Sequence, residues 1–299
     1  MRNSFIIISL GFVMLFSCTA KPSQKTEKKQ IEEEVNKTLR LEKLWETDTL
    51  LTTAESVIYN SNADILYVSN INGTPLQKDG NGFISQVDMD GNIIVEKWVT
   101  NLDAPKGMGI FNGKLYVTNI TQLVEIDIND TEITNRWEVE GAVFLNDITI
   151  DKEGTVYFSD SNTNKIHVLK QGNVSEYMAS DRLASPNGLY IEQDRLMLAT
   201  MGSSSFGYIE LSTKEFIIKT DSIGAGDGVA PMGDGGYLVS NWNGEVFHVN
   251  GETWNKTSLL RTVEDAIQSA DITYVIDKQM LLVPTFFNNT IIAYRLIEE

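Results

Sequence analysis

Cysteine is almost absent from this chain: Cys18 is the only one in 299 residues, beside two histidines and six prolines. With a single thiol no intramolecular disulfide can form, so stability in an oxidising compartment must come from packing. No apolar run reaches the roughly 20 residues that a membrane-crossing helix takes. Basic residues are scarce as well. From Leu44 onward sixteen Lys and Arg stand against thirty-six Asp and Glu. A body that acidic repels phosphate backbones and anionic headgroups, which sets nucleic acid aside as a partner.

What is present begins with MRNSFIIISLGFVMLFSC: one Arg, an apolar run from Phe5 to Phe16, small Ser17 and then Cys18. The run is too short to span a bilayer and has the layout of a secretory signal. LFSC resembles the lipobox of bacterial lipoproteins, whose cysteine becomes the lipidated first residue of the mature chain. The plainer alternative is an ordinary signal peptide with a stray thiol. We therefore expect residues 1–17 to be a cleaved lipoprotein signal. The protein is then exported and held to the bacterial outer membrane, on its periplasmic or outer side, through lipid on Cys18 only. Residues 18–43 are rich in Lys, Glu, Gln and Thr and poor in large apolar side chains. Such a composition cannot offset its ordering entropy and reads as a flexible tether.

The remaining chain, 44–299, repeats. AESVIYNSNADILYVSN, PKGMGIFNGKLYVTN, LNDITIDKEGTVYFSD, PNGLYIEQDRLMLAT, GDGVAPMGDGGYLVSN and SADITYVIDKQMLLVPT each join a short apolar strand, a turn and a second strand that ends in a small polar residue. Aligned two residues before the first apolar position, the anchors are Glu55, Lys106, Asn146, Asn187, Asp227 and Ala270, spaced by 51, 40, 41, 40 and 43 residues. That period, with a third strand such as QLVEIDI, KIHVLK or EVFHVN and a fourth in several units, predicts an all-β, six-bladed β-propeller. A β-sandwich also uses many short strands, but it has no reason to recur six times. The last unit is one strand short and the front segment lacks a partner, so residues around Lys43 to Leu50 are expected to supply the outer strand of the final blade and close the ring.

In a propeller the first strand of every blade lines the central channel, and equivalent positions lie at one height. Glu55, Asn146, Asn187 and Asp227 should converge there. Two carboxylates and two amides are hard oxygen donors of the kind Ca²⁺ prefers. With no Cys or His among them, a structural zinc cage does not fit. Polar strand starts also occur simply because such channels hold water and because Asn, Asp and Gly suit turns.

The stretches AESVIY, LNDITIDKEGTVYFSD, SPNGLYI and GDGVAPMGDGGYLVSNWNGEVFHV resemble the senescence-marker-protein and gluconolactonase family, six-bladed propellers related to the paraoxonases, over roughly residues 50 to 285. The resemblance implies hydrolysis of lactones or related esters with one catalytic divalent cation, commonly Ca²⁺, with Zn²⁺, Mg²⁺ or Mn²⁺ as substitutes. It matches Glu55, Asn187 and Asp227 to the family's metal ligands, and Asn146 to the Asn that contacts metal-bound water or substrate. Asp227 is then the candidate base, with Asp147 and Asp271 as alternative bases or as groups that support the ligands from behind, although a neighbouring cation depresses a carboxylate's basicity. Two departures stand out. The family's Gly-Glu-Gly-Pro is Ala54-Glu55-Ser56-Val57 here, and Phe144 stands where sugar-lactone members place an Arg. An apolar wall in place of a forked donor points to a more hydrophobic lactone or ester. The expected partner is that small molecule, and the expected state a monomer.

Other residues read as structural. Lys106 shares the ring register and fits a counter-charge to the acidic channel better than a clamp for a leaving carboxylate. His167 and His248 fall in third strands, away from the channel. GAGDG leads into a strand, so it fails as a phosphate loop. Trp45, Trp98, Trp137 and Trp254 suit packing between blades, with Trp242 nearer the channel.

Overall fold

A computed structural model describes residues 38–299. The expected signal, Cys18 and the tether as far as Lys37 lie outside the described residues. Among those described, twenty-four strands form six antiparallel four-stranded sheets. We number the blades one to six by their innermost strands: Ala54–Asn60, Pro105–Phe111, Leu145–Ile150, Pro186–Glu192, Gly226–Pro231 and Thr273–Val275. Each innermost strand packs on the next, and the sixth returns to the first through the Asp271 N–H, which donates to the Glu55 carbonyl at 3.0 Å. The fold is the all-β, six-bladed propeller that the period predicts.

Ring closure follows the expected plan with a shifted boundary. The outer strand of blade six is Leu39–Glu46, not Lys43 to Leu50, and it pairs antiparallel with Ile291–Glu298. Residues 39–43, read as tether, are thus part of the sheet. An outermost strand buries one face only, so charged Arg40, Glu42 and Lys43 alternate with half-buried Leu39 and Leu41, and composition alone mistakes such a strand for a solvated segment. Leu39 pairs with Glu298, and Glu46 with Ile292.

The innermost strands share a device. In blades two to five the register breaks after the first residue, between Pro105 and Met108, Leu145 and Ile148, Pro186 and Leu189, Gly226 and Val229, and in blade one between Ala54 and Ser56. The bulged residues include every anchor but Ala270, and a bulge re-aims the side chains it carries. Backbone N–H groups freed by the bulge find hydroxyls on the second strand: Ser56 donates to Ser69 Oγ, Asp147 to Ser159 Oγ and Gly228 to Ser240 Oγ. In blades two, three and five the small polar residue ending the second strand clamps the segment that leads into the anchor. Asn119 Oδ1 accepts from the N–H groups of Asp103 and Ala104, the Asp160 carboxylate from Val143 and Phe144, and Asn241 Oδ1 from Ala225.

The apolar faces of neighbouring sheets form the core, and tryptophans sit at its seams. The Trp45 indole donates to the Met89 carbonyl across the closing blades, and Trp137 donates to the Gly172 carbonyl across blades two and three. Trp98 packs on Tyr67 at 4.6 Å, while Trp254 meets Phe206, Tyr208 and Tyr237.

Candidate functional site

Five anchors reach one cavity. It measures about 350 Å³ and is lined by Glu55, Lys106, Asn146, Asn187 and Asp227 at its base. All five are nearly inaccessible. Asn187 Nδ2 donates to Asp227 Oδ1 at 2.9 Å, and Asn146 Nδ2 donates to Ser161 Oγ at 3.2 Å. Glu55 Oε2 and Asn187 Oδ1 are buried and meet no hydrogen-bond partner. Leaving such oxygens unmade costs on the order of 1–3 kcal/mol each, which nature seldom tolerates without a ligand.

Asp147 and Asp271, one place further along their repeats, do not line this cavity. They face a deeper chamber of about 140 Å³ shared with Ser56. There Asp147 accepts from the N–H groups of Ile148 and Leu189 at 2.6 and 2.5 Å, Ser56 Oγ donates to Asp271, and the two carboxyl groups are hydrogen-bonded to each other. Ala270, the sixth anchor, is buried and apolar.

Burial dominates the electrostatics. It pushes the carboxyl groups of Glu55 and Asp227 well above the usual range, helped for Glu55 by Asp227 and Asp271 and for Asp227 by Asp271. Asp147 is raised in the same way and Asp271 to about 7. Lys106 is pulled down to about 8 by burial, against the pull of Glu55. Its Nζ donates to the carbonyls of Pro75 and Ala104 at 3.1 Å and lies 4.6 Å above the Phe144 ring, so two carbonyls and a ring face engage the ammonium. A cluster so short of counter-charge suits either retained protons or a bound cation. Among the described residues no three Asp, Glu, His or Cys side chains converge as a metal cage, so a cation here would rest on the Glu55 and Asp227 carboxylates and the amides of Asn187 and Asn146. The two unpartnered oxygens fit that role.

Above the base the walls change character. The residue directly after the second strand is Ile71, Ile120, Ser161, Met201 or Trp242 in blades one to five; in blade six Thr285 intervenes and Phe286 takes the place. Ile71, Met201, Trp242 and Phe286 line the cavity, with Pro75, Phe144 and Phe287 beside them. Ile71, Ile120 and Phe286 form one buried cluster with Ala104 and Ala270, and Trp242 packs against it. The exception is Ser161, which holds Asn146. Sequence reasoning singled out Trp242 and Phe144 but missed this collar. The signal was the residue following each small polar strand end. His167 and His248 lie in third strands, as expected.

No known protein-family profile matches the chain, and no curated protein matches its sequence. Solved structures do match. A streptogramin B lyase is 14% identical over 87% of this chain and 98% of its own, with a TM-score of 0.63. Virginiamycin B lyase from Staphylococcus aureus is 16% identical, covering 87% and 100%, at 0.59. A nidogen/laminin complex contributes a chain 16% identical over 75% and 85%, at 0.61. These proteins share the fold. At such identities the likeness extends no further, and the neighbours include both enzymes and a binding protein.

Proposed function

We propose that this protein is an exported, divalent-cation-dependent hydrolase of lactones or related esters. The observation that carries the reading is the meeting of Glu55, Asn146, Asn187 and Asp227 in one cavity, with buried oxygens of Glu55 and Asn187 left unpartnered. Glu55, Asn187 and Asp227 would hold the cation, Ca²⁺ by the hardness of the donors, with Asn146 beside it. When bound, it polarises a carbonyl oxygen as a Lewis acid.

The chain's own groups do the rest. Asp227 Oδ1 is fixed by Asn187, which leaves Oδ2 to accept a proton from the attacking water. The water oxygen bonds to the acyl carbon, the ring C–O bond breaks, and the proton passes to the departing alkoxide. Asn146, steadied through Ser161, orients the water or the substrate oxygen. Asp147 and Asp271 act from beneath, fixing the innermost strands that carry these groups. Apolar walls exclude bulk water and strengthen each of these interactions. Export and lipid attachment rest on the LFSC stretch.

The test is a panel of short and long-chain lactones and aryl esters assayed with and without chelator, beside elemental analysis of the purified protein. Activity lost with EDTA, restored by Ca²⁺ and absent from Asp227→Ala is expected. The product should be the hydroxy acid, whose mass exceeds the substrate's by one water; an unsaturated acid would mean elimination. Inactivity across the panel with metal bound would favour the second reading, a non-catalytic lipoprotein whose cation is structural. Exposed Leu76, Val143 and Phe287 near the cavity mouth support that reading, because exposed apolar side chains suit a protein partner.

A further inference from the structure

The collar specifies one part of the ligand. Its base is polar and its walls apolar: Ile71, Pro75, Phe144 and Met201 on some blades, Trp242, Phe286 and Phe287 on others. The three aromatic rings of blades five and six stand mutually perpendicular. Trp242 and Phe286 meet at 79°, Trp242 and Phe287 at 83°, and Phe286 and Phe287 at 88°, with centroids 4.8 to 6.1 Å apart. Perpendicular rings leave no pair of parallel faces between which a flat ring could slide, whereas their edges and faces grip a chain of round cross-section. Met201 adds an unbranched side chain that conforms to such a chain.

The apolar surface also continues outward. Phe287 lines the cavity and is 58% exposed, and Leu76 and Val143, at 51% and 45%, directly adjoin the cavity residues Pro75 and Phe144. An arm that outgrows the cavity would therefore remain on apolar contacts. Nothing in the collar can meet a row of hydroxyls: Ser161, its one polar member, donates to the Pro186 carbonyl and accepts from Asn146. The positions are set by the architecture, since Ile71, Met201, Trp242 and Phe286 each follow a small polar residue at the end of a blade's second strand segment, and Phe286 is held with φ of +50° between Thr285 and Asn289, whose side chains accept from the N–H groups of Thr290 and Thr53.

We infer that the ligand is an amphiphile: a compact carbonyl-bearing head that sits on the polar base, and a flexible aliphatic arm that runs out between Trp242, Phe286 and Phe287. This deepens the hydrolase reading, which supplies only the bond that breaks. A sugar lactone would leave the collar facing hydroxyls, and a planar aryl ester would find no slot.

The experiment uses two matched series, γ-lactones from γ-valerolactone to γ-dodecalactone for turnover, and the corresponding alkyl γ-lactams, which resist hydrolysis, for calorimetric binding. Wild type should gain about fourfold per added methylene in both kcat/KM and affinity until the arm leaves the collar. Phe287→Ala, at an exposed position that tolerates truncation, and Trp242→Ala should each flatten that slope. Ile218→Ala, on the outer strand of blade four, should not. A wild-type slope near zero, or a slope untouched in a folded Phe287→Ala variant, overturns the inference. Lactams that bind with the slope while no lactone is turned over would uphold the collar and sink the hydrolase; turnover without dependence on chain length would do the reverse.

Discussion

Gly188 offers the sharpest test of how the site is built. It follows Asn187, and in sequence an Asn-Gly pair suggests a turn, where glycine supplies a left-handed backbone. The structure assigns it another role, because Gly188 is not in the left-handed region and a Cβ built on it would lie 1.9 Å from the Asp227 carbonyl oxygen. Gly107 and Gly228 are similar, with a Cβ at 2.5 Å from Asp147 Cα and 2.4 Å from the Ile272 nitrogen. Glycine is therefore needed where adjacent innermost strands approach. Relieving the Gly188 clash requires backbone to move by more than an ångström, which places Gly188→Ala at about 3 kcal/mol, the upper end of ordinary overpacking. For a domain of this size that is about 6–10 °C in melting temperature. The displaced strand carries Asp227, so lactone turnover and cation affinity should fall as well. Gly172→Ala serves as comparison: it has open space around it and φ of +78°, so it should cost about 1 kcal/mol and leave the site alone. Thermal unfolding of both variants, with calorimetric Ca²⁺ titration, decides the matter. A Gly188→Ala protein that melts and binds like wild type would refute the close-approach account.

Asp227→Asn should abolish turnover yet raise the melting temperature of the chelated protein by a few degrees, because it removes a buried carboxyl that burial and Asp271 already disfavour as an anion; differential scanning calorimetry with EDTA reads this. Adding Ca²⁺ at about 100 times its dissociation constant should stabilise wild type by about 2.7 kcal/mol and Asp227→Asn by far less. His167 is buried against Phe158 with Nε2 unpartnered, and burial lowers its pKa despite Asp160 at 3.9 Å. The unfolded chain therefore takes up this proton first. The stability it contributes is complete above the unfolded value of about 6.5 and is lost as pH falls toward the lower folded value. Urea titrations at pH 7 and pH 5 should show a smaller loss for His167→Phe than for wild type.

The propeller was legible because its period repeats through every blade, and so were the anchors, which share one register. The closing strand was displaced in the sequence reading because Arg40, Glu42 and Lys43 look solvated, whereas pairing with Ile291–Glu298 asks only that one face be apolar. The collar escaped notice for a different reason. Ile71, Ile120, Met201, Trp242 and Phe286 differ in size and chemistry, and their common feature is positional, the residue after a small polar strand end. Asp147 illustrates a further limit. It neighbours Asn146 in the chain, yet the bulge turns consecutive side chains into different chambers, and no periodicity of two or forty reveals which.

The pairing of Leu39 with Glu298 has a practical side. Blade six runs its innermost strand away from the cavity, its second strand back to Phe286 and its third away again, so Leu39 and Glu298 both lie at the end remote from the ligand opening. Affinity handles or a solid support attached at the carboxyl terminus would leave that opening unobstructed. A load applied between the two ends would pull hydrogen bonds apart singly from their far tip, so resistance to stretching should be low even though resistance to heat comes from six blades together.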